Sequence, residues 1–227
     1  MPDASAIISC YKSKEFIQHK IQNILESTAD IEIVIVECAG GHDIKGIPKD
    51  SRITTRVYDQ RISIWKAMNI GISIANSDFV VQANTDDLVH PEAYQKQIDK
   101  LNAGNDIAYF DYYLSTGYHQ NWENALKNTY THYMTPQDGY STGCGLGMFP
   151  MWRKSLHNEV GPFDENLEIY GDSLFWDRLV KAGKKFGRIP EKLGVYAQRD
   201  GQNLESNHSL AAKDSKYLSK LRSSPKT

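Results

Sequence analysis

A chain of 227 residues, 40% of them hydrophobic, can build one substantial core and is short for two full-sized domains, so a single domain is expected. Its 26 lysines and arginines against 28 acidic residues give a formal charge of -2, which leaves no broad basic field for a nucleic-acid backbone. Cys10, Cys38 and Cys144 lack any CxxC or Cys/His ligand spacing, which argues against a disulfide framework or structural zinc site and fits a reducing cytoplasm.

The opening MPDASAIISCYKSK suits neither a signal peptide nor a membrane span, and the apolar runs elsewhere are strand-sized. Ala6 to Ser9 reads as a strand, Lys14 to Ser27 as a helix with Phe16, Ile17, Ile21, Ile24 and Leu25 at helical spacing, and IEIVIVE from Ile31 to Glu37 as a buried second strand. Gly40-Gly41 breaks that strand. Ile53 to Tyr58 is a third strand, Ser63 to Ala75 a helix, and Asp78 to Ala83 a fourth strand running into NTDDLVHPEAY. Pro91 to Leu101 is a proline-started helix and Asp106 to Tyr113 a fifth strand. Regularity then weakens through an aromatic, polar stretch; GCGLGMF, Gly143 to Phe149, fits a close-packed strand whose glycines permit near approach of a ligand or another backbone. Ser173 to Ala182 and the Lys-rich His208 to Ser223 close the chain as helices. Strands alternating with helices predict an α/β fold with a mostly parallel central sheet flanked by helices.

Two positions carry chemistry on their own residues. Asp86 and Asp87 are adjacent carboxylates after an apolar strand, where open α/β sheets bind ligands, and Mg²⁺ or Mn²⁺ is the usual compensation for their mutual repulsion. The alternative has Asp86 capping the next turn and Asp87 solvated. Asp172 stands at a helix start after GPFDENLEIYG, placed to accept a proton from a hydroxyl or simply to cap the helix. Asp164 and Glu165 are nearby, suited to turn and positioning roles.

ASAIISCYKSKEFI, IEIVIVEC, IWKAMNIGISIANSDFVVQANTDD and GPFDENLEIYGDSLFWDRLVKAGKKFGRIPEKLGVYA, in that order from about Ala4 to Glu205, resemble the family 2 glycosyltransferases. The resemblance implies a GT-A fold: a nucleotide-sugar-binding half over about residues 4–113 joined without a linker to an acceptor half over about 114–205, with residues 206–227 as a helical tail. It implies an inverting displacement in which Asp172 is the general base, Asp86 and Asp87 hold ribose and a metal-bound diphosphate, and Mn²⁺ or Mg²⁺ is the cofactor. The implied partners are a nucleotide-sugar donor, with a UDP-sugar as the default, and a glycan or lipid-linked glycan acceptor.

Three departures stand out. The family often reads D-x-D-D where Asn84-Thr85-Asp86-Asp87 occurs, often has Asp-Asp where Glu37-Cys38 occurs, and often has Glu where Gly171 occurs. Ser9, Tyr11 and Glu37 end the first two strands, where a nucleoside would lie; Lys66 and Asn69 correspond to basic or amide residues near the donor; Arg199 is within possible reach of the diphosphate. Tyr112, Tyr113, Tyr118, His119, Trp122, Tyr130, His132 and Tyr133 either stack on sugars or join the core. Tyr112, Trp122, Gly145 and Asp164 are the acceptor-side candidates. The Lys-rich tail reads as a solvated helix, with contact to an anionic membrane surface as the alternative, and oligomeric state stays open. A sugar-nucleotide pyrophosphorylase would open with a glycine- and basic-rich loop where SCYKSKEF stands. A non-catalytic binding descendant of the same fold and a sugar-nucleotide hydrolase are the other rivals; a transferase needs Asp172 and the Asp86-Asp87 pair to face one cleft.

Overall fold

The apolar run IEIVIVE forms β2 (Ile31–Glu37), paired in parallel on its two edges with β1 (Ala4–Cys10) and β3 (Ile53–Val57), and it is buried along its whole length because its alternating side chains pack into apolar clusters on both faces of the sheet. The computed structural model in which this is seen describes residues 1–38, 40–136, 145–198 and 207–223. The other edge of β1 takes β4 (Phe79–Gln82), also parallel, so the order β3-β2-β1-β4 reverses direction between β1 and β4. Helix α1 (Ile17–Leu25) follows β1 and α2 (Ile64–Ile74) follows β3. Gly71 lets α2 lie directly on the sheet: a Cβ there would stand 2.4 Å from the Ile7 side chain. Ser63 caps α2 by accepting the Lys66 N–H.

The sheet continues through β5 (Leu88–Val89), α3 (Ala93–Asn102), β6 (Ile107–Thr116), α4 (Trp122–Lys127), β7 (Thr129–Tyr133), β8 (Met151–Arg153), α5 (Leu156–Val160), α6 (Gly171–Lys181), β9 (Phe186–Gln198) and α7 (His208–Ser223). The nine strands run β3-β2-β1-β4-β8-β6-β9-β5, with β7 on β6. The longest ladders, β1 with β2 and β6 with β9, are parallel, as expected, while β8 is an antiparallel insert between β4 and β6. One core forms from β1 and β2 with α1 and α3; the other gathers Trp65, Met68, Trp152, Phe163, Phe175 and Trp176 around α2, α5 and α6.

Three local readings need correction. Helix α1 begins at Ile17 rather than Lys14, since the N–H groups of Phe16 and Ile17 both bond the Ser13 carbonyl in a preceding turn. The aromatic stretch holds the short α4 and β7, the latter hydrogen-bonded to β6. Of the strand expected at Gly143 to Phe149, the first two residues lie outside the described residues and the rest is turn; the strand sits at β8. Gly147, at φ 75°, packs so closely on the Tyr112 ring that a Cβ would stand 2.4 Å from it, so close approach is what that glycine serves.

Candidate functional site

In an open α/β sheet the crevice forms where strand order reverses, at the carboxyl ends of the strands. Here those ends are Cys10 of β1 and Gln82 of β4. Tyr11 follows β1 with 40% of its surface exposed, and Lys12 next to it holds φ 55°, the one non-glycine among the described residues with positive φ. Such a backbone persists only where its surroundings hold it. Ser13 does so, its N–H donating to the buried Asp43 carboxylate at 2.9 Å. The Thr85 hydroxyl donates to Ser13 Oγ at 3.3 Å and so ties the loop after β4 to the loop after β1. Arg61, on the approach to α2, lies 5.8 Å from the Tyr11 ring centroid and pairs with Glu168 at 2.8 Å. This line of contacts joins the Asp86 loop to the loop that leads into α6 and Asp172.

The adjacent carboxylates have different surroundings. Asp86 is half-buried at the crevice. Asp87 is buried and turned inward: its Oδ1 accepts from the Ala197 N–H at 3.0 Å and its Oδ2 from the Asn84 amide at 2.9 Å. Beneath it Lys20, also buried, donates to the Asp87 carbonyl at 3.0 Å. Burial pushes the Asp87 carboxyl up, with the Asp86 charge adding to the rise, and burial pulls the Lys20 ammonium down. Both Asp87 oxygens thus have partners within the chain. Asn84, the departure from the family pattern, supports Asp87 through its amide and accepts from Gln82 Nε2 at 2.9 Å. Among the described residues no cluster of three or more His, Cys, Asp or Glu could hold a metal by itself. A half-buried Asp86 alone fits a hard cation whose remaining ligands are phosphate oxygens.

The donor-side candidates separate in the same way. Ser9, next to last in β1, is half-buried, and Lys66 is exposed on α2. Glu37 is fully buried, and its carboxylate accepts the Gly41 N–H at 2.5 Å, which supports the Gly40-Gly41 turn. Asn69 is committed as well: its amide donates to the Phe163 carbonyl and to Glu165, each at 3.0 Å, and its oxygen accepts the Phe163 N–H at 3.0 Å. It fastens the loop of Phe163 and Glu165 to α2. Arg199 lies outside the described residues.

Asp172 is half-buried in the first turn of α6, where the helix N–H groups favour negative charge, and its Oδ1 accepts the Ser173 N–H at 2.7 Å. Behind it the Trp65 indole fills the space beside Gly171, the position where the family often carries glutamate. Asp164 makes the turn it was suited to, accepting the Asn166 N–H at 3.0 Å, and also accepts the Tyr217 hydroxyl at 3.0 Å. Both oxygens are engaged. Tyr112 is a core residue, stacked on Tyr133 at 5.1 Å and edge-on to Phe149 at 5.3 Å. Trp122 packs its ring against His90 and the small cluster of Leu88, Ala125 and Val195, while the Gly145 carbonyl accepts the Tyr133 hydroxyl at 3.5 Å. Tyr118 packs edge-on to Phe16, and its phenol is pushed up to about 12, chiefly by burial and then by the Asp86 charge.

Arg61 and Lys20 were not singled out from the sequence. Lys20 had a signal, since it falls on the same helical face as Ile17, Ile21 and Ile24. Arg61 had none, because its partner lies 107 residues away.

Comparison with known proteins fits this geometry. The sequence profile described as Glycosyl transferase family 2 matches residues 5–161. An uncharacterized glycosyltransferase of Bacillus subtilis, YwdF, is 26% identical over 96% of this chain and 82% of its own length. The glycosyltransferase GlyG of Streptococcus pneumoniae is 23% identical over 91% of this chain and 74% of its own. Among solved structures, S. aureus TarS 1-349 in complex with UDP-GlcNAc superposes with a TM-score of 0.70 at 14% identity, over 90% of this chain but only 61% of that one. The Pyrobaculum calidifontis mannosyltransferase PcManGT, in complex with GDP-Man and Mn2+, gives 0.68 at 15% identity, over 100% of this chain and 66% of that one. The fold is thus that of the GT-A glycosyltransferases. No helix among the described residues is long and apolar enough to cross a membrane.

Proposed function

Because the chain belongs to glycosyl transferase family 2, we propose that it transfers a sugar from a nucleoside-diphosphate donor to a hydroxyl acceptor in one inverting displacement. The observation that carries this reading is the half-buried Asp86 at the β1/β4 reversal, linked through Thr85, Ser13, Tyr11 and Arg61 to the loop that precedes Asp172.

Tyr11 offers an exposed ring for the nucleoside and Ser9 a polar group beside it. Asp86 would hold Mn²⁺ or Mg²⁺ together with the donor diphosphate, and the ion would supply charge neutralisation for the leaving group. Asp172 takes the proton of the acceptor hydroxyl; the freed oxygen forms a bond to the anomeric carbon from the face opposite the nucleotide. The bond from that carbon to the phosphate oxygen breaks, and the diphosphate leaves with the electron pair. The rest of the catalysis is alignment. A UDP-sugar is the default donor, a glycan or lipid-linked glycan the acceptor class, and the cytoplasm the expected location.

A thermal-shift screen of UDP, GDP, UDP-GlcNAc and GDP-mannose, with and without Mn²⁺, tests the donor half, since ligands that bind only the folded state raise its melting temperature. One nucleotide family is expected to stabilise the protein only with metal, and Asp86→Ala to lose the effect. A screen in which no nucleotide raises the melting temperature, or in which Asp86→Ala responds like the native chain, overturns it.

A further inference from the structure

Helix α7 brings a carboxylate to the loop that leads into Asp172. Asp214 is fully buried, although Lys213 and Lys216 beside it are exposed. It accepts the N–H of Glu168 on both oxygens at 3.1 and 3.0 Å, that of Ile169 at 2.7 Å and that of Tyr170 at 3.1 Å. Three successive amides converging on one carboxylate form an anion nest whose occupant comes from the chain itself. Tyr170 is the N-cap of α6 and Asp172 lies in its first turn.

The same loop is gripped elsewhere, by Asn69 on Phe163, by Arg61 on Glu168 and by the Tyr217 hydroxyl on Asp164. Asp214 differs from these anchors because it is charged and wholly buried. Tyr217 and Leu218, on the same helix, pack against the core of α2 and α6, so an apolar residue at 214 would serve helix docking alone. Burying a carboxylate there costs solvation that only its hydrogen bonds offset. The charge is therefore explained by what it does to the backbone it holds.

We propose that Asp214 is a positioning residue for sugar transfer: by fixing the backbone of Glu168 to Tyr170 it sets the start of α6, and through it the direction in which Asp172 faces the acceptor hydroxyl. The inference rests on Asp172 being the base. It makes α7 part of the catalytic apparatus, where the sequence suggested a solvated tail. Since the nucleoside contacts proposed above lie at the ends of β1 and β4, loss of Asp214 is expected to act on kcat and to spare the KM for donor.

The test compares the full-length native chain with Asp214→Asn, which keeps the size but loses the charge, Asp214→Glu, which keeps the charge one methylene further out, and Asp172→Asn. Amide hydrogen exchange at residues 168–170 is read beside turnover, measured as UDP or GDP release from UDP-GlcNAc or GDP-mannose with Mn²⁺, water taking the place of the acceptor hydroxyl. For Asp214→Asn, exchange at those three amides is expected to rise about tenfold or more while β2 amides stay protected, and kcat to fall about tenfold or more at unchanged donor KM. Asp214→Glu is expected to recover part of both, and it decides the matter if Asp214→Asn opens globally. Native exchange at 168–170 in both Asp214 variants overturns the proposal without any substrate, as does faster exchange with native kcat. Loss of turnover in Asp214→Asn alongside native turnover in Asp172→Asn overturns the base assignment instead, which separates the two failures.

Discussion

The Trp65 indole occupies the place where a side chain at Gly171 would begin: a Cβ built on Gly171 would stand 2.6 Å from the ring carbons. Trp65 lies on α2 and Gly171 opens α6, so the contact joins these two helices one residue from Asp172. The absence of a side chain at 171 is thus matched by a large one opposite. Gly171→Ala is expected to cost about 1–3 kcal/mol through overpacking, despite the better helix propensity of alanine. Trp65→Phe, with a smaller ring, is expected to return part of that loss when combined with it. Urea unfolding of the two single variants and the double variant checks this, and strict additivity would refute the contact as the cause.

Asp86 and Asp87 are adjacent yet should behave as opposites. Asp87→Ala strands the Asn84 amide and the Ala197 N–H and leaves Lys20 without its nearby carboxylate, so it is expected to lose about 3–5 kcal/mol of stability with no ligand present. Asp86→Ala is expected to stay within about 0.5 kcal/mol of native in the same measurement. Adding EDTA should likewise leave the ligand-free melting temperature unchanged while abolishing any stabilisation by nucleotide and Mn²⁺. Equal destabilisation by the two alanines would contradict the inward and outward placements.

How far the sequence could be read depended on the range of the contacts involved. IEIVIVE announces a strand covered on both faces, and the apolar strand ahead of Asp86 announces a ligand-binding edge; both signals are local. A DD pair in a loop has no periodicity to say which carboxylate turns inward. Glu37 looked available because strand ends usually are, but its partner is the N–H four residues on, in a glycine turn whose shape the pattern does not specify. Asn69 and Asp164 are polar groups whose partners lie 94 and 53 residues away, and nothing in their own neighbourhoods reveals this. Asp214 had the faintest trace, one acid in a lysine-rich helix on the side of Tyr217 and Leu218.

His157 predicts a pH dependence. It stacks on Phe175 at 4.5 Å and accepts the Trp152 indole N–H at 2.9 Å on Nε2, and burial, followed by the Arg178 charge, pulls its pKa from 6.5 down to about 4. Because the folded value is below the unfolded one, the neutral ring's contribution is fully present above about pH 6.5. It is lost progressively as pH falls toward 4, where the unfolded chain binds a proton that the folded chain refuses; the loss is on the order of 3 kcal/mol. His157→Gln keeps an acceptor for Trp152 but cannot titrate. The stability difference between native and variant, from urea melts at about pH 7 and about pH 5, should shrink or reverse on acidification. A difference independent of pH would mean that His157 titrates normally in the fold.

The Asp111–Arg188 pair supplies a test of how β6 and β9 are held in register. Their side chains are 4% and 11% exposed, and the guanidinium donates through Nη2 to Oδ2 at 2.6 Å and through Nε to Oδ1 at 3.2 Å. Asp111 Oδ1 also accepts the Thr135 N–H and hydroxyl, each at 2.8 Å, and the pair stands where the β6–β9 register shifts beside Phe110. Arg188→Met leaves a buried carboxylate without its cation and is expected to cost about 3–5 kcal/mol. Asp111→Asn leaves a buried guanidinium with a neutral partner and is expected to be similarly damaging. Combining them removes both charges while the new amide oxygen can still accept from Thr135, so the double variant should lie closer to the native chain than the sum of the single losses. If the losses add, the two charges are independently solvated and their pairing does not hold the register.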